Sequence, residues 1–340
     1  MVYVHVPFCG RFCTYCDFYS EILCAGRDTG RYVDEVCSEI CRRSAEIKDT
    51  EDINTLYIGG GTPSVLPLSD LSRIAAAVRG AVDSGFKEFT VEVNPDDIVS
   101  GGVEYASGLR SIGVSRISMG VQSLDDGMLR WMNRRHGSRE AREAFGILRE
   151  AGFDNISLDV ISGISHMTDS MLEDTLKGLI AMSPEHISAY QLSVEEGSAL
   201  AGMISSGRYT EASEDQCRRQ YLLICSLLRD AGYVHYEISN WARPGFEAVH
   251  NSAYWRRAPY VGVGPAAHSL RIEPGKQVRS WNSSVLTGWT PSSEVLSGEE
   301  IREEEIMLGL RTARGWNGRH LTEEEWFVSD GIISDILAQS

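Results

Sequence analysis

Three cysteines within eight residues constrain this chain more than any other feature. Cys9, Cys13 and Cys16 stand in a C-x3-C-x2-C spacing inside VYVHVPFCGRFCTYCDFYS, directly after a β-branched run that reads as a first strand. Gly10, Phe12 and Tyr15 interleave them, so the segment makes a short loop whose sulfurs can converge on one point. A convergent set of soft thiolates is first of all a metal or cluster site. The count of three is informative. A [4Fe-4S] cluster takes one thiolate per iron, so three cysteines leave one iron open to a chelating small molecule that could receive an electron there. The competing readings are ordinary buried cysteines, or three of the four ligands of a zinc site. Zinc knuckles usually pair two C-x2-C units across a longer gap, and no second C-x2-C occurs in the chain.

The rest of the sequence bounds what can surround that loop. With 340 residues, 42% of them hydrophobic, the chain can bury a large core, and one large α/β domain with a smaller appendage is the natural division. The boundary is expected between residues 235 and 236. A net charge of −16 argues against a general nucleic-acid or anionic-membrane surface, leaving room only for local basic pockets. The chain opens straight into a strand with no charged leader, and no apolar run approaches the roughly 20 residues that span a bilayer. A cytoplasmic protein is expected, and its eight cysteines are then not a disulfide framework. Cys37 and Cys41, four apart in a helical pattern, are expected on one buried face. Cys24, Cys217 and Cys225 read as packing residues or surface thiols.

Downstream of the cysteine loop, strands and helices alternate. A helix near Arg31 to Ile47 leads to strand TLYIGG. There follow a helix at Leu68 to Val82, strand EFTVEVN, a helix at Val103 to Ile112 and strand RISMGVQ. Helical stretches around Met128 and at Arg139 to Ala151 precede strand NISLDVIS, a helix at Ser170 to Met182 and strand HISAYQLS. Strict alternation implies parallel pairing with right-handed crossovers, and six such units suffice for an open (β/α)6 barrel of the partial TIM type. In such barrels the C-terminal strand ends carry the chemistry. Polar residues fall there. Gly60, Gly61 and Thr62 sit in GGGTPS, where glycines let backbone approach a ligand or take positive φ, though a plain tight turn has the same sequence. Glu92 ends an apolar strand and needs a cationic partner if buried, whether a ligand or a neighbouring Lys or Arg. Gln122 closes GVQS, Arg134 and Arg135 follow in MNRRH, and Asp159 lies in SLDVIS. Ser193 and Glu195 could line the cavity, and His166 reads as an exposed loop residue.

These ordered motifs resemble the radical S-adenosylmethionine (SAM) superfamily. YVHVPFCGRFCTYCDF is similar to its oxygen-independent coproporphyrinogen III oxidase branch, and within that branch to the heme chaperone (HemW) group. The likeness runs from Tyr3 to about Arg314. It implies a [4Fe-4S] cluster on Cys9, Cys13 and Cys16, with SAM chelating the open iron. By the same resemblance Tyr3, Phe18, Gly60, Gly61, Thr62, Glu92, Gln122, Arg134 and Asp159 are SAM-contacting positions, with Arg134 partnering the SAM carboxylate. The H-N-x-x-Y-W run gives His250, Tyr254 and Trp255 as heme candidates; packing between the barrel mouth and the C-terminal domain is the alternative for these aromatics. Members that oxidise coproporphyrinogen III carry a further cysteine two positions after the third, where this chain has Phe18. The resemblance therefore implies a heme chaperone before a porphyrinogen oxidase, with heme or porphyrin as cargo, a haemoprotein acceptor and an electron donor for the cluster. It leaves open monomer or dimer and a peripheral membrane contact. Two departures stand out. The family's Gly-x-Pro-Gly-Gln-Thr turn after strand five is Gly163-Ile164-Ser165-His166-Met167-Thr168 here, and the winged-helix-like C-terminal unit is shortened.

Overall fold

In the computed structural model, which describes residues 1–24 and 29–338, the alternation becomes one sheet. Six parallel strands form its body: β1 (Val2–Val6), β2 (Thr55–Gly60), β3 (Glu88–Val93), β4 (Arg116–Gln122), β5 (Ile156–Ser162) and β6 (His186–Gln191). Each pairs with the next in sequence order. Three further strands complete the sheet: β7 (Val234–Glu237), β8 (Asn240–Ala242) and β9 (Val261–Val263). β9 adds parallel to the outer edge of β1, and β8 joins β6 antiparallel with β7 beyond it. β9 and β7 are the two free edges, so the barrel stays open. The division expected after residue 235 thus falls inside β7, and sequence beyond it finishes the sheet.

Strand periodicity explains which face is filled. Val2, Val4, Leu56, Ile58, Phe89, Val91, Ile117, Met119, Ile156 and Leu158 alternate outward and are fully buried under the helices. Each such burial is worth about 1.5–3 kcal/mol. The helices are α1 (Gly30–Arg42), α2 (Leu68–Arg79), α3 (Pro95–Ser111), α4 (Ser138–Glu150), α5 (Asp169–Met182) and α6 (Glu214–Asp230). α3 starts eight residues before the expected Val103 because Pro95 opens it, and Gly102 at φ 61° kinks it where the sequence seemed to begin. Thr168 and Ser213 cap α5 and α6 through bonds to the backbone N–H of Met171 and Gln216. On α1, Cys37 is only half-buried and Cys41 is exposed, contrary to the expected shared buried face.

Beyond the sheet, α7 (Val249–Trp255) packs beneath the strand starts. An antiparallel sheet of β10 (His268–Glu273), β11 (Lys276–Asn282) and β12 (Pro291–Leu296) follows. The chain ends in α8 (Gly298–Leu310), α9 (Glu323–Phe327) and α10 (Ser329–Leu337), around a separate small core of Ile306, Leu310, Leu321, Trp326 and Ile333. Among the described residues no helix is long and apolar enough to cross a membrane.

Candidate metal and cofactor site

The cysteine loop closes over the C-terminal strand ends and is fastened from three sides. Phe8–Cys9 pairs with Glu21–Ile22, which ties the start of the loop to its end. The β2 terminus holds it from below: Gly61 N–H donates to Val6 O at 2.8 Å and Thr62 N–H to Phe8 O at 2.7 Å. From the segment after β4, Met132 and Trp131 carbonyls accept bonds from Thr14 N–H and Oγ1, and Asn133 Nδ2 donates to Phe12 O at 2.7 Å. Such anchoring fixes Cys9, Cys13 and Cys16 before any ligand arrives, which is what a cluster site needs.

The donor set fits a four-iron cube better than a single ion. Tetrahedral zinc would hold its sulfurs about 3.8 Å apart. The three thiols do not all lie within 4.8 Å of one another, yet Cys16 is close enough to feel both Cys13 and Cys9 electrostatically. Burial pushes the Cys9 thiol up and the Cys16 thiol up to about 11, so a metal must displace the protons. Thr62 Oγ1 donates to Cys9 Sγ at 3.4 Å and Arg134 to Cys13 Sγ at 3.3 Å. Burial works against the Arg134 charge, but Tyr15, Cys13 and Asp96 hold it protonated. Its other bonds, 2.6 Å each to Asn94 Oδ1 and Gly120 O, lock it in place. Arg135 instead pairs with Asp96 and Asp97, its guanidinium beside Gly10 of the cysteine loop. The arginine expected to face inward does so.

Below the loop the lumen is lined by the inward-facing alternate residues. Glu92 Oε1 accepts from the Tyr57 hydroxyl at 2.7 Å and Oε2 from Gly60 N–H at 3.0 Å. No ion pair reaches it among the described residues, so of the two partners expected for it no neighbouring Lys or Arg is in place, and two neutral donors hold it instead. Burial raises its carboxyl to about 7, with Asp159 pushing the same way and Arg116 against. Asp159 accepts from Ser118 and Ser157 hydroxyls, not from backbone, and burial lifts it too. Gln122 adopts φ 67°, and its buried Oε1 lacks a partner among the described residues. Tyr3 lies in the same lumen, its hydroxyl 3.1 Å from His5 Nδ1. Gly60 takes φ 110°, and a Cβ on Gly61 would stand 2.7 Å from Phe8 O and 3.1 Å from Cys9 Sγ, so both glycines are steric requirements. An unpartnered amide oxygen, a carboxylate lacking a counter-cation and a close glycine cradle suit a ligand bearing an ammonium, a carboxylate and hydroxyls.

Other expected residues lie elsewhere. The Phe18 ring is 66% exposed, and only its backbone reaches Cys16. Ser193 bonds Glu195 on the exposed rim, and His166 is exposed against Trp131 and Tyr209. The heme candidates need correction. His250 and Tyr254 are at neither the cysteine loop nor the mouth; they sit under the strand starts. His250 Nδ1 is 2.8 Å from Thr55 Oγ1 and Nε2 is 3.0 Å from the Tyr254 hydroxyl, while its backbone N–H donates to Glu88. Burial lowers its imidazole to about 3, so it is a neutral, doubly bonded plug with no free ligand atom. Trp255 stands beside Glu237 at the same end. Sequence reasoning missed Tyr57, Asn94 and Arg116. The signal for Tyr57 and Arg116 was present, since each alternates with apolar neighbours and so faces the lumen.

Comparison with known proteins agrees with this geometry. The radical SAM superfamily pattern matches residues 3–179. The heme chaperone HemW of Lactococcus lactis subsp. lactis (strain IL1403) is 34% identical over 318 residues, which cover 92% of this chain and 82% of that protein. HemW of Bacillus subtilis (strain 168) is 31% identical over 98% of this chain and 89% of its own length. Among solved structures, coproporphyrinogen III oxidase (HemN) from Escherichia coli, a radical SAM enzyme, superposes with a TM-score of 0.75 over 92% of this chain and 75% of that one. Its 21% identity makes this a likeness of fold alone.

Proposed function

The chain belongs to the radical SAM superfamily and, within it, to the HemW family, and from that premise we propose that it is a heme chaperone carrying a [4Fe-4S] cluster and SAM and passing heme to a haemoprotein. One observation carries the reading: relatives named as heme chaperones align over nearly the whole chain, cysteine loop to C-terminal helices. When bound, the cluster supplies one-electron chemistry at its open iron to the sulfonium of SAM. Cys9, Cys13 and Cys16 would hold the cube. Arg134, already against Cys13, offsets the negative charge of the thiolates. Glu92, which no protein cation pairs among the described residues, would take the SAM ammonium, and Gln122 Oε1 and Asp159 would accept from amino or hydroxyl groups. Gly60 and Gly61 give the ligand access to backbone. Phe18 supplies no thiol where the porphyrinogen-oxidising members carry one, which favours cargo handling over oxidation.

The test is anaerobic reconstitution followed by heme titration and transfer to an apo-haemoprotein. A Soret shift on binding, and appearance of the acceptor's holo spectrum, are expected. Absence of heme binding by cluster-loaded protein would overturn the chaperone reading, and conversion of coproporphyrinogen III to protoporphyrinogen IX would replace it with the oxidase.

A further inference from the structure

A second set of metal-ligand side chains lies outside the lumen, at the seam between barrel and C-terminal helices. Cys225 on α6, His235 on β7 and Glu323 at the start of α9 offer a thiol sulfur, an imidazole nitrogen and a carboxylate oxygen. All three atoms lie within 4.8 Å of one another, the single such trio among the described residues. The cluster contains a hydrogen-bonding mismatch. His235 Nδ1 faces Glu323 Oε1 at 3.3 Å, and Nε2 faces the Ile238 carbonyl at 3.4 Å. A neutral imidazole carries one proton, so one of these contacts sets acceptor against acceptor. The Tyr221 hydroxyl is buried beside the Cys225 thiol.

A divalent cation removes the mismatch. Bound to Nδ1 and Oε1, it fixes the ring proton on Nε2 toward Ile238, the arrangement by which metal-bound histidines are oriented through a backbone carbonyl. Bound to Cys225, it displaces the thiol proton, and the thiolate is a stronger acceptor for the Tyr221 hydroxyl beside it. The imidazole is already clamped, stacked on Trp241 at 3.9 Å and edge-on to Trp326 at 4.5 Å. Arg229 holds Glu323 by Oε2 at 2.7 Å, leaving Oε1 free for a metal. One sulfur, one nitrogen and one oxygen donor suit zinc.

We propose that Cys225, His235 and Glu323 bind a zinc ion that clips the C-terminal helices to the barrel. The C-terminal core has five buried side chains, a size at which small units are commonly stapled. The neighbouring Arg218–Glu324 pair at 3.3 Å is largely exposed, and such a pair adds little to the hold.

The test uses cluster-loaded protein, so that the N-terminal cysteines are occupied, with iron measured beside zinc. After incubation with zinc and gel filtration, wild type should retain an equimolar amount at unchanged iron, and chelation should lower its melting temperature. Cobalt(II) in place of zinc should give a thiolate-to-cobalt charge-transfer band. Cys225→Ser should lose the band, and both it and Glu323→Gln should lose the retained zinc and the chelator-sensitive part of the melting temperature. If Cys225→Ser does not fold, Glu323→Gln, a change at a partly exposed carboxylate, decides alone. Wild type that retains no zinc, or variants that retain it as wild type does, would overturn the proposal.

Discussion

Glu92 gives the sharpest prediction, because its carboxylate has two neutral donors and no protein counter-cation at bonding distance among the described residues. Its carboxyl is raised from 4.5 to about 7, chiefly by burial. An acid raised in the folded state binds protons more tightly there than in the unfolded chain. Stability is therefore highest below the unfolded value and declines as pH rises from about 4.5 through 7. Integrated between pH 5 and pH 8, at 1.36 kcal/mol per unit, Glu92 withdraws about 2.5 kcal/mol from the folded state. Glu92→Gln removes that dependence. It keeps an acceptor for Tyr57 but turns an amide donor toward Gly60 N–H, which costs about 1–2 kcal/mol at every pH. The variant should be less stable than wild type at pH 5 and more stable at pH 8, in SAM-free, cluster-loaded protein followed by thermal unfolding. It should also bind SAM at least about tenfold more weakly at pH 8, the worth of one charge-assisted hydrogen bond. A variant whose stability parallels wild type across that range, or one that binds SAM normally, would refute the assignment of Glu92 as an ammonium receptor kept charged at a cost.

Four further substitutions separate the parts of the site. Arg134→Gln removes the cation held 3.3 Å from Cys13 Sγ, and should lower iron retained after reconstitution and abolish the SAM-induced change in the electron paramagnetic resonance signal; an unchanged response would place SAM elsewhere. Gly61→Ala drives a Cβ to 2.7 Å from a backbone carbonyl and should prevent cluster loading. Gly10→Ala meets only the flexible Arg135 guanidinium and should load normally; equal behaviour of the two would show that the β2 turn does not hold the loop. His250→Ala should lower stability by about 2–4 kcal/mol while leaving the heme Soret shift intact, since it opens a cavity and orphans Thr55 and Tyr254; loss of the Soret shift at unchanged melting temperature would restore His250 as a ligand.

The barrel and its loop were legible because each rests on local pattern. Period-two apolar runs named all six parallel strands, and the cysteine spacing named the loop. What the sequence hid is set by residues far apart in the chain. β7, β8 and β9 are three or four residues long, too short for a period to show, and exist because open edges at β1 and β6 accept them. The choice of Arg134 over Arg135 depends on Asn94 and Gly120, which only the fold brings near. His250 misled for the same reason. A histidine among aromatics suits a heme pocket or a packed floor equally, and only its bonds to Thr55 and Tyr254 tell the two apart.

That floor has a consequence for how the protein works. Thr55, Glu88 and His186 stand at the beginnings of their strands, and the residues bonded to them, His250 of α7 and Tyr236 of β7, close that end. At the other end the cysteine loop is held by backbone bonds to β2 and to the segment after β4, and the Phe18 ring projects into solvent beside it. Between the two lies a lumen carrying Glu92, Arg116 and Asp159, three ionisable groups without a mutual ion pair at bonding distance. Closing one end with side chains bonded to one another limits water entry behind these charges, so they are solvated from the cysteine side. A ligand arriving there finds polar groups whose partners are already incomplete, and binding it completes them. The strain of that incompleteness is confined to the lumen by the apolar helices outside and by the His250 floor below. A substitution that opened the floor should therefore let water reach Glu92 and Asp159, lower both carboxyls toward their ordinary values and weaken the preference of the lumen for a cationic ligand.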